Sequence, residues 1–174
     1  MKLKKKTITQ KETHLLRIGF GFDVHRFDSK KRHIILGGIK IPAGFGIDAV
    51  SDGDVLLHAV CDALCGGAGL GDIGDLFPPQ SKKSKGIKSK KILDMVLKKI
   101  KNRYQLLNLD VIIVTEKPKL VKYKKQMVTS LKKMLKIDEI NIKIKSKEKL
   151  DILGGVDSLC VMAQALMKLC PRSK

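Results

Sequence analysis

A chain of 174 residues with 43% apolar residues is sized for one domain and can bury roughly two-thirds of its unfolded surface. Its formal net charge of +19 raises nucleic-acid binding, but the lysines run through the whole length, and two tyrosines, five phenylalanines and no tryptophan offer little to stack on bases. No apolar run reaches the length of a membrane span, and Cys61, Cys65, Cys160 and Cys170 form no disulfide framework, which predicts a cytoplasmic protein with no specific nucleic-acid or membrane partner; a plastid is the less favoured setting in a eukaryote.

Residues 1–15 are basic and polar, lack the apolar core of a signal peptide, and read as a flexible extension before a single domain over 16–170 and a tail over 171–174. Arg17 to His25 reads as a strand. Residues two apart share a strand face, so Asp23 and His25 project side by side. Ser51 with Asp54 three residues on has the form of a helix N-cap box. Val55, Leu56, Ala59, Val60, Ala63 and Leu64 then recur at helical spacing, and Gly66-Gly67 supplies a stop. His58 falls one turn into that helix, where it can face the strand end. One carboxylate and two imidazoles suit Zn²⁺ with a fourth position left for substrate. A helical histidine is also commonly a packed residue, and Cys61 and Cys65 offer a second ligand set, although three ligands on one short helix converge poorly. Small buried helix residues are the plainer reading of both thiols.

Gly69 to Pro79 is rich in glycine and carboxylates, suited to backbone approach to polar ligands or to a simple turn. Residues 80–89 read as a Ser/Lys-rich loop, and Ser89 as the cap of an amphipathic helix to about Ile100. Val111 to Val114 is a buried strand. Pro118 opens a helix to about Leu135, and Ile140 to Lys145 alternates as a strand with one wet face. Ser146-Lys147-Glu148 ends that strand with groups suited to a phosphate–metal site. Val156 to Leu169 is open between helix and strand. Strands alternating with helices predict an α+β or α/β domain.

Asp23-Val24-His25, Ser51-Asp52-Gly53-Asp54-Val55-Leu56-Leu57-His58, Gly71-Asp72-Ile73-Gly74 with Phe77-Pro78, Pro118-Lys119 and Glu148-Lys149-Leu150 resemble, in order and spacing, the 2-C-methyl-D-erythritol 2,4-cyclodiphosphate synthase family. The likeness runs from Arg17 to about Leu169. It implies an α+β sandwich, a mixed sheet covered on one side by helices, assembled as a homotrimer with active sites between subunits. It implies a strand at Val156 to Leu169. The implied reaction belongs to non-mevalonate isoprenoid synthesis: the 2-phosphate of 4-diphosphocytidyl-2-C-methyl-D-erythritol 2-phosphate attacks the β-phosphorus, closes a cyclic diphosphate and expels CMP.

By the same resemblance, Asp23, His25 and His58 hold Zn²⁺, and Glu148 holds Mg²⁺ or Mn²⁺. Asp23, His25, Ser51, Asp72, Ile73, Gly74, Phe77 and Ser81 contact the substrate's erythritol and phosphate parts. Thr115, Pro118, Lys119, Leu120, Lys145, Ser146, Lys147 and Glu148 line the cytidine and phosphate pocket. Ser146 stands where the family has a threonine that assists the transferring phosphate. Val50 stands where the family has a catalytic histidine before the Ser-Asp-Gly-Asp block, which raises a metal-binding trimeric homologue with weakened or lost cyclase activity as the alternative, ahead of a basic nucleic-acid-binding protein. The residues after Phe77-Pro78, Pro79-Gln80-Ser81, lack the family's acidic character. Gly155 replaces an arginine lining the trimer's central cavity, which puts a ligand there in question.

Overall fold

The computed structural model describes residues 15–78 and 86–170, so the basic extension, Ser81 and the tail lie outside the described residues. The elements run β1 (Leu16–Asp28), β2 (His33–Leu36), β3 (Ile39–Pro42), β4 (Gly46–Ile47), α1 (Val55–Ala68), α2 (Ile73–Leu76) and α3 (Ser89–Ile100). They continue with β5 (Tyr104–Thr115), a 3₁₀ turn (Val121–Tyr123), α4 (Lys124–Leu135), β6 (Ile140–Lys145) and β7 (Ser158–Leu169). Five strands form one mixed sheet in the order β4-β1-β7-β5-β6. β1 and β5 both pair antiparallel with β7, while β6 runs parallel to β5. The parallel pair is joined through α4, the kind of crossover that parallel strands require. This is the mixed, helix-covered sheet of the predicted α+β class, and the C-terminal segment is a strand.

The inner sheet face and the helices share one core. Leu109, Val111 and Ile113 of β5, Ile142 of β6 and Val161, Ala163, Ala165 and Met167 of β7 are buried with α1 and α3. β1 reverses the usual pattern. Its inward positions in mid-strand are Gly19 and Gly21, and its outward positions are Ile18, Phe20, Phe22 and Val24, all exposed. A Cβ on Gly19 would stand 1.7 Å from the carbonyl oxygen of Ala63, and one on Gly21 would stand 1.9 Å from that of Ala59. The helix therefore lies directly on the strand backbone. One helical turn of four residues advances about 6 Å, close to the roughly 6.8 Å of two strand residues. Running antiparallel, the Ala63-to-Ala59 step matches Gly19 to Gly21, and from the residue before Ala59 the His58 imidazole reaches Asp23 at 3.0 Å.

Several boundaries differ from the sequence expectation. The N-cap of α1 is Asp54, not Ser51: its carboxylate accepts from the Leu57 amide at 3.0 Å. The same carboxylate takes the amides of Gly37 at 2.8 Å and Gly38 at 2.7 Å. Those two glycines form the two-residue turn between β2 and β3, with φ of 59° and 75°, the left-handed pair that a tight hairpin turn needs. One buried carboxylate thus ties the hairpin to the helix, and burial pushes it up to about 6 despite its three amide partners. The helix passes through Gly66-Gly67 and stops at Gly69, whose φ is 69°. Pro118 follows a cis peptide bond and does not open a helix; regular α-helix begins at Lys124. The short β2, β3 and β4 carry too few residues for a clear alternation and were not predicted.

Candidate metal centre and active site

Asp23 and His25 leave the inner face of β1 just beyond the point where α1 covers it, and His58 comes down from the first turn of α1. One ligand atom from each lies within 4.8 Å of the others, and they form the one such cluster among the described residues. Asp23 Oδ2 is 3.0 Å from His58 Nδ1, and Asp23 Oδ1 is 3.3 Å from His25 Nε2. Burial alone would raise the Asp23 carboxyl, but hydrogen bonding and charge from His25 and His58 outweigh it and hold the group down at about 2. The bond from Asp23 raises His25 above the ordinary imidazole value, against an opposing effect of burial. A carboxylate and two imidazoles converging from two rigid elements fit a divalent cation with one position open. Cys61 and Cys65 lie outside the cluster, wholly buried in the core. Burial pushes the Cys65 thiol up to about 11 and Cys61 well above its ordinary value, which disfavours thiolate ligation.

The backs of both imidazoles are engaged. His25 Nδ1 is 2.7 Å from the carbonyl of Asp48. His58 Nε2 is 2.9 Å from Ser89 Oγ and 3.3 Å from Ser51 Oγ. Ser89 is thus not the cap of α3: Lys88 occupies that position and makes no side-chain cap bond.

A cavity of about 200 Å³ opens beside the triad, lined by His25, Val50, Ser51, His58, Ile73, Gly74 and Phe77 with Ala49, Ile87 and Ile92. Val50 is 65% exposed and offers an apolar rim where a polar side chain could reach a ligand. Asp72, exposed at the cap of α2, exchanges hydrogen bonds with Asp75 in a reciprocal box. Asp62 of α1 accepts the Ile73 amide at 2.8 Å, so the ligand-bearing helix also fixes α2 at the cavity edge.

The second predicted group does not join the first within one chain. His25 pairs across the sheet with Leu159, which pairs with Thr115, while β6 lies beside β5 on the far side. Three strand spacings, roughly 14 Å, therefore separate β1 from the β6 end. Thr115 is buried and donates to the Lys117 carbonyl at 2.6 Å; Leu120 is buried. Pro118 is half-buried, and Lys119, Lys145, Ser146 and Glu148 are exposed. Ser146 Oγ donates to the Glu148 carboxylate. Glu148 and Lys149 sit at φ of 52° and 60°, a turn held by Glu116, whose Oε1 accepts the amides of Lys147 at 2.7 Å and Lys149 at 3.0 Å.

Lys147 is 1% exposed and does not face an open pocket. Its ammonium donates to the carbonyls of Leu153, Gly155 and Ser158 and to Ser158 Oγ, which supplies partners for a charge buried from water. Sequence reasoning missed Ser89, Glu116, Asp48 and Asp62 as supporting groups. The only signal was polar residues near the motif blocks, which by itself names no partner.

Sheet, helix layer and triad together define an α+β domain with a candidate metal site of two histidines and one carboxylate. The chain belongs to the YgbB family, whose model matches residues 16–168. It is 43% identical over 152 residues to the 2-C-methyl-D-erythritol 2,4-cyclodiphosphate synthase of Desulfatibacillum aliphaticivorans, a match covering 84% of this chain and 97% of that protein. It is 45% identical over 162 residues to the bifunctional enzyme IspD/IspF of Pelagibacter ubique, covering 91% of this chain and 43% of that one. The chain thus spans about two-fifths of the length of the bifunctional relatives. A solved 2C-methyl-D-erythritol-2,4-cyclodiphosphate synthase in a form bound to CDP superposes with a TM-score of 0.76 at 33% identity, covering 88% of this chain and all of that one. These are the proteins that the motif blocks of the sequence resembled. Among the described residues, no helix is long and apolar enough to cross a membrane.

Proposed function

We propose that this chain is a 2-C-methyl-D-erythritol 2,4-cyclodiphosphate synthase, a phosphorus–oxygen lyase of non-mevalonate isoprenoid synthesis. The observation that carries the reading is the Asp23–His25–His58 triad at the mouth of the cavity. The likeness to a synthase bound to CDP supports a cytidine nucleotide as part of the substrate. The substrate is 4-diphosphocytidyl-2-C-methyl-D-erythritol 2-phosphate. An oxygen of its 2-phosphate forms a bond to the β-phosphorus as the bond from that phosphorus to the CMP oxygen breaks. When bound, Zn²⁺ at the triad and Mg²⁺ or Mn²⁺ at Glu148 supply charge neutralisation and a template for the diphosphate.

The chain's own residues do the positioning. Ile73, Gly74 and Phe77 enclose the methylerythritol part, with Asp72 beside its hydroxyls, while Ser51 lies at the phosphate side. Thr115, Pro118, Lys119 and Leu120 hold the cytidine end with Lys145, Ser146 offers a hydroxyl to the transferring phosphate, and buried Lys147 braces the turn rather than touching substrate. The attacking phosphate is already an anion, so no general base is needed. Each complete site draws the triad from one subunit and the Ser146–Glu148 turn from another, in a homotrimer. The roughly 14 Å between the two groups in one chain and the exposed apolar row on β1 support that assembly.

Incubating the zinc- and magnesium-loaded protein with this substrate is expected to release CMP. A folded, metal-loaded trimer that releases none would overturn the activity and leave a metal-binding homologue, the outcome that Val50 invites. His58→Ala is expected to lower CMP release at least about 100-fold, the scale of several kcal/mol of lost charge stabilisation.

A further inference from the structure

We infer that Ser89 and Asp52 are positioning residues that set which nitrogen of His58 faces the metal; the inference rests on the metal-centre reading above. Ser89 is completely buried at the start of α3, far in sequence from the helix that carries His58. Its backbone amide donates to Asp52 Oδ1 at 3.1 Å, and its hydroxyl is hydrogen-bonded to the same oxygen. Asp52 thereby serves as a remote cap for α3. A serine hydroxyl has a single proton to give, and a carboxylate can only accept. The proton is therefore committed to Asp52, and the oxygen turns a lone pair toward His58 Nε2, 2.9 Å away.

His58 Nε2 must then be the N–H of the neutral ring. Nδ1, 3.0 Å from Asp23 Oδ2, is then the nitrogen that can give up its proton and turn a lone pair to a cation where the triad converges. His25 is set the opposite way: its Nδ1–H donates to the Asp48 carbonyl at 2.7 Å, so Nε2 faces the centre. Two histidines thus present different nitrogens to one point, each fixed by the group behind it. Ser51 Oγ, 3.3 Å from the same Nε2, already accepts the Gly53 amide and is the longer, secondary acceptor. Without Asp52, the Ser89 hydroxyl is free to rotate and donate to Nε2, which favours the wrong tautomer.

The test compares the full chain with S89A, D52A and the double variant. In the zinc-loaded wild type at pH 8, long-range ¹⁵N–¹H correlations should show His58 protonated on Nε2, and both single variants should show a mixture of tautomers. By competition against a chromophoric chelator, S89A should bind zinc roughly 10- to 100-fold more weakly. The double variant should bind no more weakly than S89A, because both residues act through one hydrogen bond. Wild-type tautomer and zinc affinity in S89A, or losses that add in the double variant, would overturn the inference. Should S89A fail to fold, D52A decides it, since Asp52 is only half-buried. A wild type that binds no zinc would overturn the metal-centre reading together with this one. A zinc-binding wild type with an unaffected D52A overturns the relay alone.

Discussion

Asp23 and His25 couple the candidate metal site to pH in two opposed ways. Asp23 titrates at about 2 in the folded chain against 3.8 unfolded, and His25 titrates above its unfolded 6.5. A lowered carboxyl stabilises the fold above pH 3.8 and loses that stabilisation as pH falls towards 2. A raised imidazole stabilises it below 6.5 and loses that as pH rises through its folded value. In metal-free protein the pair therefore contributes most between about pH 4 and 6.5. Zinc needs the unprotonated ring, so its affinity should fall as pH drops through the raised His25 value. Denaturant unfolding across pH, with and without zinc, should show the stability maximum move to higher pH when zinc is present. Lys147 is a second residue whose role is set by what surrounds it. Lys147→Met keeps the stem but strips partners from the carbonyls of Leu153, Gly155 and Ser158. A loss of about 1–3 kcal/mol in urea unfolding is expected, with CMP release falling as the Ser146–Glu148 turn loosens.

At the scale of elements, the pairing of β1 with α1 builds the triad. Gly19 and Gly21 remove the side chains that would hold the helix off the strand, and the close approach this allows brings His58 within 3.0 Å of Asp23. Gly21→Ala should push α1 outward, cost about 3 kcal/mol or more, and weaken zinc binding well beyond what lost stability explains. Thermal unfolding and chelator competition on the same sample check both. The strand holding Asp23 and His25 and the helix holding His58 were legible because they follow simple periods. The caps were less so. Ser51 and Ser89 both have the chemistry of N-caps, yet a carboxylate three residues later takes the first role, and Asp52 with His58 draws Ser89 into a different bond. Local pattern names residues able to cap, while competition among neighbours in space selects the one that does.

For the whole molecule, the outward face of β1 is the unfinished surface. Ile18 and Phe20 are 65% and 62% exposed, with Phe22 and Val24 beside them, a contiguous apolar row of the kind that marks an interface. Phe20→Glu is expected to yield monomers in sedimentation experiments and to abolish CMP release. Zinc binding should survive, because the triad belongs to one chain. Zinc loss in a folded monomer would contradict that division of the site.

The sequence alone determined the types and spacing of the residues in the candidate metal triad, the α+β class and, through the motif blocks, the family. These are local features: strand and helix periodicities and short runs of residues carried on single elements. The tertiary structure decided what depends on neighbours distant in the chain. It set the helix directly on two glycines, gave each imidazole its backing partner and buried Lys147 among carbonyls. It also held the Ser146–Glu148 turn three strands from the triad. Those relations arise from sheet order and helix docking, which a single strand or helix pattern does not contain.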